Sequence, residues 1–232
     1  MDSAKDSEGA ASRSDVLRAS PKMFESRLLD FFSRVHPTVP GIIFAPVILA
    51  MALWSLEHRS VPAAIGLVLV GYLLWTLFEY WLHRLVFHFE PQEGIGARMH
   101  WIIHGVHHDH PNDPLRLVMP PAVSVPLGAL VFGALYLAFG AGWAPGLAAG
   151  FFTGYLLYDM LHYYLHHFAP RGRLGRMLRE RHMRHHFQDD TRGFGISAPY
   201  WDEVFRTSPR GERVKRTRTR RPGGTHPGGT PA

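Results

Sequence analysis

Histidine is the residue type whose number and spacing in this sequence point most clearly to chemistry. The chain of 232 residues contains 16 histidines and no cysteine. Most of the histidines fall into four clusters: His83–His88 (H-x4-H), His104–His108 (H-x-x-H-H), His162–His167, and His182–His186 (a second H-x-x-H-H). Without cysteine, disulfides, thiolate metal sites and cysteine nucleophiles are excluded. Imidazole binds zinc, copper, iron and nickel, so the clusters predict a metal site.

The spacing within each cluster indicates which imidazoles meet. Helical residues at i, i+3 and i+4 share a face, so each H-x-x-H-H directs at least two imidazoles to one point, and His162 and His166 do the same. On an ideal helix His83 and His88 lie about 140° apart, so we expect the helix to end or bend between them.

The number of clustered histidines also bears on the metal. About ten imidazoles exceed the capacity of one ion, whereas two ions with five ligands each would keep one open octahedral position apiece. Zinc hydrolases usually need only three protein ligands. We therefore expect two redox-active ions that act on dioxygen, with iron in the active form and zinc as the alternative in the purified protein.

Four apolar runs are expected to position these clusters. Each run approaches the roughly 20 residues that cross the hydrocarbon core of a bilayer. The runs are Val39–Leu56, Val61–Leu82, Ala122–Phe139 and Trp143–Leu161. Short turns pair them into two hairpins, which predicts an all-α integral membrane protein with four transmembrane helices. A soluble four-helix bundle is the alternative, but the polar residues that it needs on one face are scarce.

Positive charge predicts the orientation. Of the 25 lysines and arginines, 6 precede the first run, 3 lie in segment 83–121 and 15 follow the last run, with only Arg59 in a hairpin turn. Because positive residues accumulate on the cytoplasmic side, we expect both termini and a histidine-bearing helical cap there. The charge therefore gives no reason to expect nucleic acid, and the basic run Arg206–Arg221 lacks the aromatic residues that stack on bases.

The two ends of the chain have low-complexity or polar composition. We expect residues 1–24 to be a disordered polar segment and residues 209–232 to be a disordered tail, first basic and then rich in Gly and Pro. The tail contains His226-Pro227-Gly228-Gly229, which is similar to the haem-binding motif of cytochrome b5. Only three residues follow it, so we interpret this match as coincidence.

Together, the clusters and the segments around them resemble the fatty acid 2-hydroxylases of the fatty acid hydroxylase/sterol desaturase superfamily. The histidines indicate the superfamily, and the surrounding segments indicate the hydroxylase branch. These segments are Arg116–Pro121, Tyr158–His167, Gly193–Ile196 and Trp201–Thr207. The resemblance covers residues 25–208. It implies a membrane domain that hydroxylates carbon 2 of a long acyl chain, either free or within a sphingolipid or other lipid.

The resemblance also implies a set of site residues. The implied metal ligands are His83, His88, His104, His107, His108, His162, His166, His182, His185 and His186. His100, His110 and His167 are expected outside this set but near it. Candidate acceptors for the second imidazole N–H groups are Glu79, Asp109, Asp159, Asp189 and Asp190. Candidate contacts of the substrate headgroup are Arg116, Tyr163, Tyr164 and Trp201.

Two further expectations concern partners and alternatives. Many eukaryotic relatives carry an N-terminal cytochrome b5 domain that this sequence lacks, so we expect a separate donor: a cytochrome b5-like protein, a ferredoxin or a reductase. This lack, together with the absence of organelle signals, favours a bacterial inner membrane. The alternatives are a sterol desaturase, a carotenoid hydroxylase, or a non-catalytic membrane metal-binding protein. A metal transporter would place its ligands near the bilayer midplane, whereas these clusters lie at or beyond the ends of the apolar runs.

Overall fold

The computed structural model describes residues 12–209, and this part of the chain is helical without any strand. The predicted all-α class is therefore confirmed. In chain order the helices are α1 (Arg13–Arg18), α2 (Arg27–Phe32), α3 (Val39–His58), α4 (Val61–Leu82), α5 (Gly94–His100), α6 (Val106–Asp109), α7 (Pro121–Phe139), α8 (Ala144–His167), α9 (Arg173–Phe187) and α10 (Tyr200–Val204). π-Helical turns at His83–Phe87 and Trp101–Gly105 follow α4 and α5. The predicted tail motif at His226 lies outside the described residues.

Three helices are long and apolar enough to cross a membrane: Val39–His58, Val61–Phe87 and Pro121–Phe139. They coincide with the first three predicted apolar runs. Large apolar side chains point outward from them, including Ile42 at 69% and Leu137 at 89% exposure. A bilayer removes such groups from water, so the protein is a membrane protein.

Helix α8 coincides with the fourth predicted run but serves as the core of the bundle. Glycine, threonine, tyrosine and aspartate interrupt its sequence, so it is less apolar than the other three helices. Sixteen of its 24 residues are buried. It packs against α3, α4 and α7, with Phe44 and Trp75 among its aromatic contacts.

Glycine allows α4 and α8 to approach closely. A Cβ atom built on Gly71 would overlap the carbonyl of Leu147, and one built on Gly150 would overlap the carbonyl of Val68. Small residues are the usual means by which membrane helices bring their backbones together. This close approach sets the positions of the histidines that follow along both helices.

The turn after α3 contacts the turn before α8 at the end of the bundle remote from the histidines. The Nε of Arg59, between α3 and α4, donates a hydrogen bond to the Gly142 carbonyl, between α7 and α8, at 2.7 Å. The Arg59 guanidinium also lies 4.7 Å from the ring centre of Trp143. Because α4 and α8 both start at this end, His83 and His162 lie together at the other end.

The N-terminal segment departs from the prediction that residues 1–24 are disordered. From Ser12 onward it is folded: Ser12 caps α1, with reciprocal hydrogen bonds to Asp15. The Leu17 carbonyl accepts a hydrogen bond from the Asn112 backbone N–H at 3.0 Å. The prediction is wrong for residues 12–24, because these local caps and loop contacts are not visible as apolar periodicity.

We predict that Gly150→Leu disrupts the bundle. The added side chain must push α8 away from α4, and overpacking of this kind costs about 1–3 kcal/mol or more. The measurement is thermal unfolding in detergent, with the matched variant Gly133→Leu as control, because nothing lies within 4 Å of a Cβ at Gly133. Equal unfolding temperatures for the two variants would contradict the close α4–α8 packing.

Candidate metal centre

The structure brings ten histidines into two groups of five. In each group, one ring nitrogen of every member lies within 4.8 Å of the others. The first group is His83, His88, His104, His108 and His185. The second group is His107, His162, His166, His182 and His186. These are the ten histidines that the family resemblance implied.

Each of the two H-x-x-H-H motifs supplies histidines to both groups. In the first motif, His104 and His108 enter the first group and His107 enters the second. The second motif reverses this pattern, because His182 and His186 enter the second group and His185 the first. Residues four apart share a helix face, whereas the residue at i+3 points slightly to one side. Each motif therefore contributes to both groups.

A π-helical turn brings the two histidines of the H-x4-H pair to the same side of the helix. The backbone N–H of His88 bonds to the His83 carbonyl, an i to i+5 bond at 3.1 Å. In this wider turn the two side chains lie on one face, and their Nε2 atoms are 3.2 Å apart. The sequence predicts that the helix ends or bends between these residues, whereas the structure shows that it continues through a wider, π-helical turn. π-Helical turns of this kind often occur at functional sites.

Backbone carbonyls orient two of the first group's imidazoles. The Nδ1 of His83 hydrogen-bonds to the Phe194 carbonyl at 2.7 Å, and the Nδ1 of His185 to the Arg192 carbonyl at 2.8 Å. With the Nδ1 proton directed to a carbonyl, each Nε2 presents its lone pair to the centre of the group.

Asp202 fixes the loop that supplies the Phe194 carbonyl. Its carboxylate is fully buried and accepts hydrogen bonds from the backbone N–H groups of Phe194 at 2.9 Å and Gly195 at 3.1 Å. The hydroxyl of Thr207 donates a third at 2.8 Å. In the sequence, the only signal that these loop residues serve the site is their resemblance to the hydroxylase branch.

The predicted carboxylate acceptors have other partners. Glu79 accepts hydrogen bonds from the backbone and hydroxyl of Ser197, and Asp109 accepts one from Trp101. Asp159 accepts bonds from the Met119 backbone and the Tyr155 hydroxyl. The prediction is wrong for these three, because each accepts hydrogen bonds from other donors and none bonds to a histidine of the two groups within the described residues. Asp189 bonds to Thr191, and Asp190 lies in an exposed group with His88 and Glu90.

The donor set fits a metal ion. Neighbouring Nε2 atoms lie 3.0 Å apart for His104 and His108, and 2.7 Å apart for His166 and His182. Two imidazole nitrogens at right angles around an ion, each at about 2.1 Å, are separated by about 3.0 Å. In addition, the Nε2 of His162 is buried without a hydrogen-bond partner among the described residues.

Electrostatics keeps these rings neutral, as metal binding requires. Burial, with neighbouring histidines adding to it, lowers the pKa of His107 to about 3 and that of His88 to about 3. The same causes lower the pKa of His104, His182 and His186 well below the usual value. Neutral imidazoles offer lone pairs, so the histidine groups can hold a metal ion.

An apolar cavity of about 270 Å³ opens onto both groups. It contacts His104 of the first group and His107 and His162 of the second. Its apolar walls include Met23, Leu29, Phe32, Phe87, Ile102, Ile103, Val106, Leu117, Val118, Met119 and Val123. The cavity can therefore present an extended apolar molecule to the histidines.

Of the predicted headgroup residues, only Arg116 lines this cavity. Its guanidinium is held by the Pro21 carbonyl and, at 3.0 Å, by Asp30, while its Nε is buried without a partner among the described residues. Tyr163 and Tyr164 face away, the first 4.3 Å from the ring of His167 and the second against Phe168.

The remaining predicted residues lie outside the two histidine groups. The Nε2 of His100 lies 4.0 Å from Glu90 and is buried without a hydrogen-bond partner among the described residues. The Nε2 of His167 is likewise buried and unpaired there, and His110 bonds to the Val16 carbonyl. Trp201 donates to Thr76 of α4 at 3.1 Å, so it anchors α10.

The fold and the site together define a class: a helical membrane protein with a buried, histidine-rich metal-binding centre beneath an apolar cavity. Comparison with known proteins identifies the family. Residues 68–207 match the fatty acid hydroxylase family. The chain therefore belongs to the fatty acid hydroxylases, a family of enzymes, and the resemblance stated from the sequence is confirmed.

Individual relatives agree with this assignment. The chain is 37% identical to a dihydroceramide fatty acyl 2-hydroxylase of Arabidopsis thaliana, over 82% of this chain and 80% of the relative. It is 36% identical to the fatty acid 2-hydroxylase of Rattus norvegicus, over 80% of this chain and 56% of the relative.

A solved structure has the same fold. It is full-length scs7p, of which only the hydroxylase domain is visible, and it is 34% identical with a TM-score of 0.75. The similarity covers 78% of this chain and 70% of that chain. The sterol desaturase and carotenoid hydroxylase alternatives receive no support from these comparisons.

We predict that the protein loses stability as the pH falls below about 6.5. The folded pKa of His107 is depressed to about 3, so the unfolded chain takes up a proton there that the folded chain does not. For each such histidine, the free energy of unfolding falls by about 1.4 kcal/mol per pH unit below the pKa of the unfolded chain. Proton competition with a bound metal acts in the same direction. Unfolding in detergent from neutral to mildly acidic pH measures the slope, and an unchanged stability would contradict it.

Proposed function

We propose that this protein hydroxylates carbon 2 of a long-chain fatty acid, or of the acyl chain of a sphingolipid or other lipid, using dioxygen. The observation that carries this proposal is the apolar cavity, which leads directly to His104, His107 and His162. An acyl chain in this cavity would bring its methylene groups to both histidine groups. The names of the relatives, which are acyl 2-hydroxylases, support the same position of attack.

We further propose that the centre holds two metal ions, iron in the active enzyme, with one ion in each histidine group. The division of ten imidazoles into two sets of five supports this number. The groups adjoin, because the rings of His108 and His186 stack at 4.2 Å across the boundary. When bound, such a metal pair supplies the oxidising power of the reaction.

The protein's own contribution is to bind, orient and exclude water. Asp159 holds the Met119 backbone, and Arg116 ties Asp30 of α2 to the same wall of the cavity. These contacts set the shape of the cavity and keep it apolar beside the histidines. The unpaired Nε of Arg116 would contact a polar group of the substrate. Since apolar side chains form most of the walls, the reacting carbon would be held away from bulk water.

For the topology we propose four membrane-spanning helices in two hairpins, with α8 as the fourth. The contact of Arg59 with Gly142 supports this arrangement, because it joins the two turns at one end of the bundle. The concentration of lysine and arginine in the other segments favours a cytoplasmic histidine cap. Placement in a bacterial inner membrane stays a prediction from the sequence. The plant and mammalian relatives do not support this placement.

The overall reaction requires reducing equivalents from a partner. One oxygen atom of dioxygen enters the C–H bond and the other becomes water, which consumes two electrons and two protons. We propose that a separate one-electron carrier supplies these electrons.

We predict that cells expressing this chain gain lipids with one additional oxygen atom at acyl carbon 2. Mass spectrometry under isotopically heavy dioxygen should find the heavy atom in the new hydroxyl group. His107→Ala should abolish this product because it removes a ring that contacts the cavity, whereas His58→Ala, at the remote end of α3, should retain it.

Two results would contradict the proposal. The first is a product that has lost two hydrogens instead of gaining oxygen, since it would identify a desaturase. The second is full activity of His107→Ala in protein that is inserted in the membrane normally, since that ring would then have no part in the centre.

A further inference from the structure

The outer face of α9 borders an open surface groove of about 620 Å³. Three arginines, Arg176, Arg179 and Arg184, line it together with one acidic residue, Glu180, which forms an ion pair with Arg184 at 2.6 Å. Met183 and Phe187 supply its apolar part. We call this surface the α9 groove. An apolar patch with an arginine-rich border is typical of protein-docking surfaces.

The α9 groove is also the place where an exposed ring adjoins the histidine groups. Phe187 is 44% exposed, and its ring centre lies 6.0 Å from that of His186 in the second group. His186 in turn stacks on His108 of the first group at 4.2 Å. A short series of rings therefore connects this surface to both groups. Because the rate of electron transfer falls steeply with distance, an electron donor bound at this surface would be favourably close to the two histidine groups.

We propose that the α9 groove is the docking surface of a small acidic protein that carries one electron at a time. This inference rests on the proposed function, which requires two electrons per hydroxylation. In each encounter the carrier would be oxidised by one electron, and the metal that the two histidine groups would hold would accept that electron. Two encounters supply the electrons that, with two protons, convert the second oxygen atom to water.

Charge favours a protein carrier over a lipid surface in this groove. Opposite charge steers protein encounters and sets their orientation, so a groove whose three arginines outnumber its one glutamate suits an acidic protein. Apart from Phe187, which lies in the groove, the exposed apolar side chains of α9 that would insert beside lipid headgroups are Leu174, at 67% exposure, and Met177, at 40%. They lie near the start of the helix and outside the groove.

The test uses the full-length, iron-loaded protein in nanodiscs and two acidic probes: a plant-type [2Fe–2S] ferredoxin and the soluble domain of a cytochrome b5. The charge-reversal variant is Arg176→Glu with Arg184→Glu. Its matched control is Arg13→Glu with Arg27→Glu, the same charge change at exposed arginines of α1 and α2. Affinity at low and at physiological salt is one readout, and the rate at which the reduced carrier is reoxidised is the other.

We expect at least one of the two carriers to bind about tenfold more weakly to the reversal variant, with a smaller salt dependence. Its reoxidation should slow in proportion, while the control stays within about twofold of the unchanged protein. Reduction by dithionite should be equal in all forms. The milder variant Arg176→Gln with Arg184→Gln, together with unfolding temperature and iron content, separates lost docking from lost folding.

Carrier affinity and reoxidation that are unchanged in the reversal variant would overturn the proposal. The same holds if the variant loses bound anionic lipid but keeps its affinity for the carriers, because the arginines would then serve headgroups. Failure of the proposed function is a separate result: dithionite-reduced, unchanged protein would form no hydroxylated lipid, whatever its affinity for the carriers.

Discussion

Ten imidazoles confined in one buried layer impose the constraint on which the rest of this structure depends. Burial makes protonation costly, so the rings stay neutral, and their converging Nε2 atoms then lack enough protons to satisfy one another by hydrogen bonds. A cation in each group would remove this conflict. The clearest sign of this conflict is the Nε2 of His162, which is buried without a hydrogen-bond partner among the described residues.

The membrane bundle determines where that layer can form. Gly71 and Gly150 let α4 and α8 touch, so the histidines that follow on both helices reach the same depth. Asp202 then fixes the loop whose Phe194 carbonyl orients His83. The interlocked motifs on α6 and α9 complete both groups at once. We infer that neither group can assemble without the other.

Much of this arrangement could be predicted from sequence, because helix periodicity and metal-ligand spacing are local properties. The spacing of His104 and His108 predicted that their imidazoles converge, and the apolar runs located three membrane helices. Other features depend on tertiary contacts that no local pattern reports. The π-helical turn at His83–Phe87, the role of the Phe194 and Arg192 carbonyls and the folded segment after Ser12 are of this kind. The carboxylate prediction failed for the same reason, since Asp159 and Glu79 bind loop backbones that only the folded chain brings near.

We propose that each of the two histidine groups holds one ion. Metal analysis of purified protein after expression with iron tests it most directly, with the variant His162→Ala/His166→Ala beside the unchanged protein. The account predicts close to two ions per chain in the unchanged protein and a clear loss in the variant. Fewer than one tightly bound ion in the unchanged protein, or full retention by the variant, would contradict it.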